Sequence, residues 1–174
     1  MSLAKVFGTS VTAQSATYTD LAGAKGQLRA EGGNLYRLVK AGETIVAGAL
    51  CMPHATVPYD GTANTAGGGM IVIETTGVAV SVVGCNATGS AITSGNYFWM
   101  LYDGIAVLNG DAALAVGEKL MPAAAAHGVV DTYASAATGA PNTFCGVALE
   151  DSPADPYGTV CWVKACVAGN SLAA

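Results

Sequence analysis

The sequence predicts a mainly β fold, a compact β-sandwich or barrel-like domain with an extended N-terminal arm, and three observations carry the prediction. Glycine occurs 23 times in 174 residues, so apolar residues rarely recur at helical spacing without a breaker between them. Short runs rich in β-branched and aromatic residues are bounded instead by Gly, Asn, Asp and Pro, which is how strands and turns read. Hydrophobic residues make up 52% of the chain and charged residues only 11%, so much of the surface is uncharged Ala, Gly, Ser and Thr. A lone monomer with so little charge is weakly protected against association, which points to a surface covered by copies of itself or by a partner.

Residues 1–33 are Ala, Ser, Thr and Gly rich, with isolated apolar residues that include Phe7, Val11, Tyr18 and Leu21. They are too sparse to close a core, but they suffice to anchor an arm on a neighbour. Residues 34–174 form the β domain. Its strand candidates are Leu35 to Lys40, Met70 to Thr75, Val78 to Val83, Asn96 to Tyr102, Ile105 to Leu108, Thr143 to Leu149 and Thr159 to Val167. Asp103-Gly104 separates two of these as a two-residue connection, and its tolerance of positive φ predicts a tight hairpin. Pro53 to Gly69, with Pro58, Asp60-Gly61 and a run of three glycines, reads as a long loop. The Ala-rich stretch 112–126 is interrupted by Gly117 and Pro122, and Ala115 to Gly128 reads as a turn, a short strand and a second turn, with a one-turn helix after Pro122 as the alternative.

The residue types that carry chemistry are few and dispersed. The two histidines, His54 and His127, fall in predicted loops and in no metal-spaced motif. Cys51 and His54 could pair as nucleophile and base on paper, but three residues apart beside a proline is a poor arrangement, and no GxSxG elbow offers a serine instead. The five cysteines, Cys51, Cys85, Cys145, Cys161 and Cys166, form no CxxC pair and read as small buried hydrophobes. Glu150, Asp151 and Asp155 read as a solvated turn. The glycine run at 67–69 precedes a strand, whereas a phosphate-cradling loop follows one and opens a helix. These readings predict a non-enzyme with no cofactor and no metal.

The formal net charge is −5 and the seven basic residues are scattered, so no patch exists to neutralise phosphates and nucleic acid is not an expected partner. No apolar run approaches the roughly 20 residues of a membrane span, and the first fifteen residues lack a continuous apolar signal segment, so manufacture in a cytoplasm is expected. Aromatic residues concentrate at Tyr97, Phe98, Trp99 and Tyr102, with Trp162 further on. Strand alternation puts Tyr97 and Trp99 on one face and Phe98 and Met100 on the other, so one face is predicted as core and the opposite one as an interface. Phe7, Val11, Tyr18, Leu21, Tyr97, Trp99 and Trp162 are therefore the candidate contacts with a partner surface or a second subunit.

From residue 95 to 167, and more loosely from 35, the chain resembles the small β-rich decoration (cement) proteins of tailed-bacteriophage heads. The resemblance lies in a strand carrying Trp99, the stretch Ala115 to Leu120 leading to a Gly turn, Gly146 to Glu150 followed by an acidic turn, and a closing strand from Thr159 to Val167. It implies a structural virion protein on the capsid exterior, made in the host cytoplasm, that binds the phage major capsid protein and stabilises the shell. It also implies self-association, with a trimer favoured over a dimer, and an N-terminal arm reaching over neighbouring subunits. The rival reading is a head-fibre or adhesin-type module whose aromatic strand face and 53–69 loop bind a host glycan.

Overall fold

A computed structural model describes residues 10–60, 69–76, 81–111, 113–124, 126–133, 144–152 and 158–164; within 158–160 it describes the backbone. Twelve strands form one mixed sheet, and the helical content of the described residues is a single 3₁₀ turn at Tyr18–Leu21. The mainly β expectation holds.

The strands are β1 (Gln14–Ser15), β2 (Leu28–Glu31), β3 (Asn34–Ala41), β4 (Leu50–Pro53), β5 (Tyr59–Asp60), β6 (Gly69–Glu74), β7 (Gly84–Cys85), β8 (Tyr97–Asn109), β9 (Lys119–Pro122), β10 (Val130–Thr132), β11 (Gly146–Ala148) and β12 (Gly158–Lys164). β3 pairs antiparallel with β8 and parallel with β6, β6 with β4, β4 with β7, and β7 with β8. Those five strands close a ring, and the architecture is barrel-like at this point. Val39, Ala41, Cys51, Val72, Phe98 and Met100 cluster as its core, together with Ile45 and Ile92, which exchange backbone hydrogen bonds of 3.0 and 2.8 Å.

Strand alternation turns the neighbouring side chains of β3 and β8 the other way, into a second core. Tyr36, Leu38, Tyr97, Trp99 and Leu101 meet Leu120, Val130, Cys145, Ala148, Cys161 and Val163 there. The first half of β8 is thus buried on both faces, which is why Tyr97 through Leu101 form an unbroken buried run. The prediction of one core face and one interface face fails at this strand. Tyr97 and Trp99 are as much core as Phe98 and Met100, because the N-terminal segment and β9 to β12 cover the face that the sequence left open.

Asp103-Gly104 is not a hairpin turn. β8 runs through it as one strand, pairing with β3 from Tyr97 to Asp103 and with β12 from Asp103 to Asn109. A bulge at Tyr102 shifts the β3 register, and Gly104 takes φ 144° within the extended strand. The positive-φ tolerance of the dipeptide is used for a kink between two pairing partners rather than for a reversal.

Residues 10–33 are built into this sheet rather than standing off it as an arm. β1 pairs with the start of β8, β2 pairs with β3, and Leu21 is buried with Val11, Ala13 and Tyr18 packed against the same core. A Cβ on Gly23 would stand 2.8 Å from the Trp99 ring and 2.9 Å from Leu38, so the segment lies directly on the indole. Pairing of backbone groups, more than apolar content, holds the segment in place, and this is invisible to a reading based on hydrophobic spacing. The long loop at 53–69 is broken by β5, which pairs with the start of β6. Val78 to Val80 and Thr143 lie outside the described residues, and Ser81 to Val83 run outside any strand, ahead of β7.

Four strands are entered through the same local device. Backbone bonds from Gln27 to Ala24, Ala49 to Val46, Asn96 to Thr93 and Glu118 to Ala115 each close a four-residue turn. The third residue of each is a glycine, with φ between 75° and 85° at Gly26, Gly48, Gly95 and Gly117. A type II turn reserves that position for glycine. The reading of 115–128 as turn, short strand and turn agrees with the turn at Ala115–Glu118, with β9, and with Gly128 at φ 69°; Ala125 lies outside the described residues.

Candidate interaction face

Beyond Gly104 the burial of β8 changes from continuous to alternating. Ala106 and Leu108 face the core, while Ile105 and Val107 are 53% and 55% exposed. β12 lies beside this half, setting Trp162 opposite Ile105, and β11 sets Val147 opposite Trp162. A transverse row of apolar side chains, Val147, Trp162 and Ile105, therefore crosses three adjacent strands, with Val107 two residues along. Trp162 is 42% exposed. Cross-strand neighbours on one face of a sheet lie about 5 Å apart, so this is a contiguous patch.

A depression of about 350 Å³ opens beside the row, lined by Gly32, Gly33, Gly104, Ile105, Leu149 and Trp162 along with Asn34. A second, of about 380 Å³, lies along Val107 and includes Gly48, Asn86 and Asn109 in its lining. Among the described residues no charged side chain lines either one. The ridge of Ile105 and Val107 thus stands between two shallow uncharged hollows, with the exposed Lys119 and Lys164 at the ends of the flanking strands.

The candidate contacts named from sequence divide sharply. Trp162 lies on this face. Leu21, Tyr97 and Trp99 are 1%, 5% and 1% exposed and pack inside the chain. Val11 and Tyr18 are half-buried against the same core, and Phe7 lies outside the described residues. Ile105, Val107 and Leu149 were missed because each looks like an ordinary strand or turn residue. Ile105-Ala106-Val107-Leu108 is apolar at every position, so both faces of this half-strand are apolar and the sequence does not say which one faces outward.

A polar cluster ties the N-terminal segment to the barrel. The Asp60 carboxylate accepts a hydrogen bond from the Tyr97 hydroxyl and pairs with the ammonium groups of Lys25 at 2.7 Å and Lys40 at 3.3 Å. Lys25 also lies over the rings of Tyr18 and Tyr97, at 5.3 and 5.8 Å, and those two rings meet edge to face. Burial pushes the Asp60 carboxyl up, but the hydrogen bonds from Lys25 and Tyr97 and the charge of Lys40 outweigh it and hold the group at about 2. The arrangement is that of an ion-paired clasp, with every polar group engaged.

The other chemistry-bearing residues have structural partners. Cys51, Cys85, Cys145 and Cys161 are all buried; burial pushes the Cys51 and Cys85 thiols far up and that of Cys161 up to about 12. A thiol that burial holds protonated is a poor nucleophile. His54 uses Nδ1 to accept the backbone N–H groups of Thr56 and Val57, at 3.3 and 3.2 Å, which fixes the turn after β4. Asp151 accepts the Val116 N–H at 2.8 Å and so braces the turn into β9; Asp155 and Cys166 lie outside the described residues. Buried Asn86 donates to the carbonyls of Ile45, Val46 and Ser90 and accepts from Thr88. Among the described residues no group of three His, Cys, Asp or Glu is placed to hold a metal ion, and no helix is long and apolar enough to cross a membrane.

No protein-family model matches this chain. No curated protein matches it either. Among solved structures, the head fiber gp8.5 N base of bacteriophage phi29 is similar to it at 13% identity, over 76% of this chain and 95% of that one, with a TM-score of 0.45.

Proposed function

We propose that the chain is a non-catalytic structural protein of a tailed-phage virion, which attaches to the outer surface of the head and stabilises the shell. The observation that carries this reading is the apolar face around Trp162, an exposed tryptophan in a row with Ile105 and Val147 and beside a hollow whose described lining residues bear no charge. Trp at the centre of an apolar patch rimmed by polar residues is the usual make-up of a binding hot spot. The resemblance of residues 95–167 to decoration proteins names the partner, the major capsid protein, and the site, the capsid exterior. Small, uncharged side chains lose little entropy on docking, and many copies on one shell make a modest affinity per copy sufficient. Self-association as a trimer belongs to the same reading, as does manufacture in the host cytoplasm; nucleic acid and membrane do not.

Co-sedimentation with expanded and unexpanded heads that lack this protein tests the proposal. Saturable binding to expanded heads alone is the expected outcome and yields the copy number. Absence of binding to both overturns it. A second reading, a head-fibre or adhesin module for a host glycan, draws on one observation: the Trp162 ring stands exposed beside a hollow, as a sugar-stacking ring would. Saturable binding on a glycan array, lost in Trp162→Ala, would establish that reading in place of the first.

A further inference from the structure

We infer that the free edge of β2 is a docking edge, which pairs with an extended strand of the head shell protein; the inference rests on the head-binding reading above. Among the described residues β2 ends the hydrogen-bonded path of the sheet and pairs with β3 alone. The Leu38 N–H donates to the Gln27 carbonyl at 2.9 Å, which sets the phase of the ladder. The Gln27 carbonyl and the main-chain groups of Arg29 and Glu31 face β3, and Leu28 and Ala30 turn theirs outward. Among the described residues nothing pairs with those two donors and two acceptors. Both residues are exposed, Leu28 by 47%.

This edge is rigid and carries no bulge. Gly32 and Gly33 have φ 60° and 85°, the two positive values of a type I′ turn, and so fix β2 on β3 in a tight hairpin. Arg29 lies 5.5 Å from the Trp99 ring and pairs with Glu31, which holds one face of the strand in place. Of the devices that blunt natural edges, residues 28–31 contain no Lys, Pro or bulge; the strand is short and its two charges, Arg29 and Glu31, pair with each other. The hairpin tip itself lines the hollow beside Trp162, so the edge leads into the apolar face.

The occupant is a strand of a different chain. Two copies that paired β2 to β2 through all four outward groups would set Arg29 opposite its own symmetry mate, with like charges directly across the ladder. Registers that avoid this engage only one of Leu28 and Ala30 from each copy. A partner strand with an uncharged or acidic residue opposite Arg29 uses all four groups without conflict. Main-chain bonds then supply affinity while neighbouring hollows supply selectivity.

Amide exchange in the full chain, free and bound to heads, tests this together with Ala30→Pro, which removes an outward donor and leaves the bonds to β3 in place. The Leu28 and Ala30 amides are expected to exchange fast in the free protein and at least tenfold more slowly on heads, and Ala30→Pro to melt with the parent while binding heads at least tenfold more weakly. Slow exchange in the free protein means that the edge is already covered, within the chain or by a second copy, and overturns the inference. Undiminished head binding by Ala30→Pro, or unchanged exchange of the parent on heads, overturns it while head binding itself stands. A parent that binds no heads overturns both.

Discussion

Asn34 grips the backbone of Ile105 across the β3–β8 pair: its Oδ1 accepts the Ile105 N–H at 3.0 Å and its Nδ2 donates to the Ile105 carbonyl at 3.4 Å. The amide lies over Gly104, in the space that a Cβ there would occupy. This contact fixes the point where β8 leaves the double-sided core and begins to present Ile105 and Val107 outward. Gly104 is required twice, for its φ of 144° and for the space that Asn34 fills. Gly104→Ala is expected to lower unfolding free energy by about 2–4 kcal/mol in denaturant melts, since strain and a clash add. Asn34→Ala should recover part of that loss in the double variant, because it relieves the clash and leaves the strain. Strict additivity of the two substitutions would show that Asn34 does not occupy the Gly104 space.

The turn glycines separate conformational strain from crowding. Nothing stands within 4 Å of a Cβ built on Gly95 or Gly117, yet both have φ near 85°. Alanine at either position is expected to cost about 1 kcal/mol, and asparagine less, since it tolerates left-handed backbone. Thermal melts of Gly117→Ala and Gly117→Asn check the order. Equal melting of parent and Gly117→Ala would mean that the turn into β9 is not held in this conformation.

Much of the fold is legible in the sequence wherever burial follows local pattern. Leu35 to Lys40 and Met70 to Thr75 match β3 and β6 to within a residue, because β-branched and aromatic content marks strands with buried faces. What was misread depends on long-range pairing. Asp103-Gly104 has the composition of a turn, and only the presence of β3 before it and β12 after it makes it a kink. Gly32-Gly33 is a true two-residue hairpin, but β2 has just one turn of alternation, Leu28-Arg29-Ala30-Glu31, and little hydrophobicity to reveal it. The repeated turn device was present in the letters, as an Ile or Leu three residues ahead of Gly48, Gly95 and Gly117, and periodicity scans do not register it. Of the candidate contacts, Trp162 was legible as an interface residue type, whereas the burial of Tyr97 and Trp99 depends on residues 10–33 folding back over them.

The Asp60 clasp makes stability depend on acid. Asp60 has a pKa of about 2 against an ordinary 3.8, so its contribution is fully present above pH 3.8 and is lost as pH falls through 2. Allowing for solvent screening of a partly exposed carboxylate, the contribution is on the order of 1 kcal/mol. Asp60→Asn is therefore expected to melt below the parent at pH 6 and to converge with it near pH 2. Proteolysis within residues 10–27 at neutral pH should also quicken, because Lys25 loses its anchor. A constant difference between parent and variant from pH 6 to pH 2 would mean that the ion pairs do not hold the segment.

Trp162 offers the sharpest separation of folding from binding. Its side chain is 42% exposed, and its strand is held by seven residue pairs to β8, so the fold does not depend on the indole. Trp162→Ala is expected to shift unfolding free energy by less than about 1 kcal/mol, whereas loss of a buried hot-spot tryptophan costs about 2 kcal/mol or more of binding. Head affinity should therefore fall at least tenfold while the melt hardly moves. Ile105→Ser and Val107→Ser, on the same face, should each weaken binding less than Trp162→Ala does, and Trp162→Phe should retain most of it by keeping a ring in the row. Tyr102→Ala provides the control: it lies on the first half of β8 and its ring packs 4.9 Å from Arg37, so its loss should lower stability before it lowers affinity. If Trp162→Ala binds heads like the parent while folding normally, the apolar row is not the head-binding face, and the hollow beside it is an ordinary feature of a strand surface.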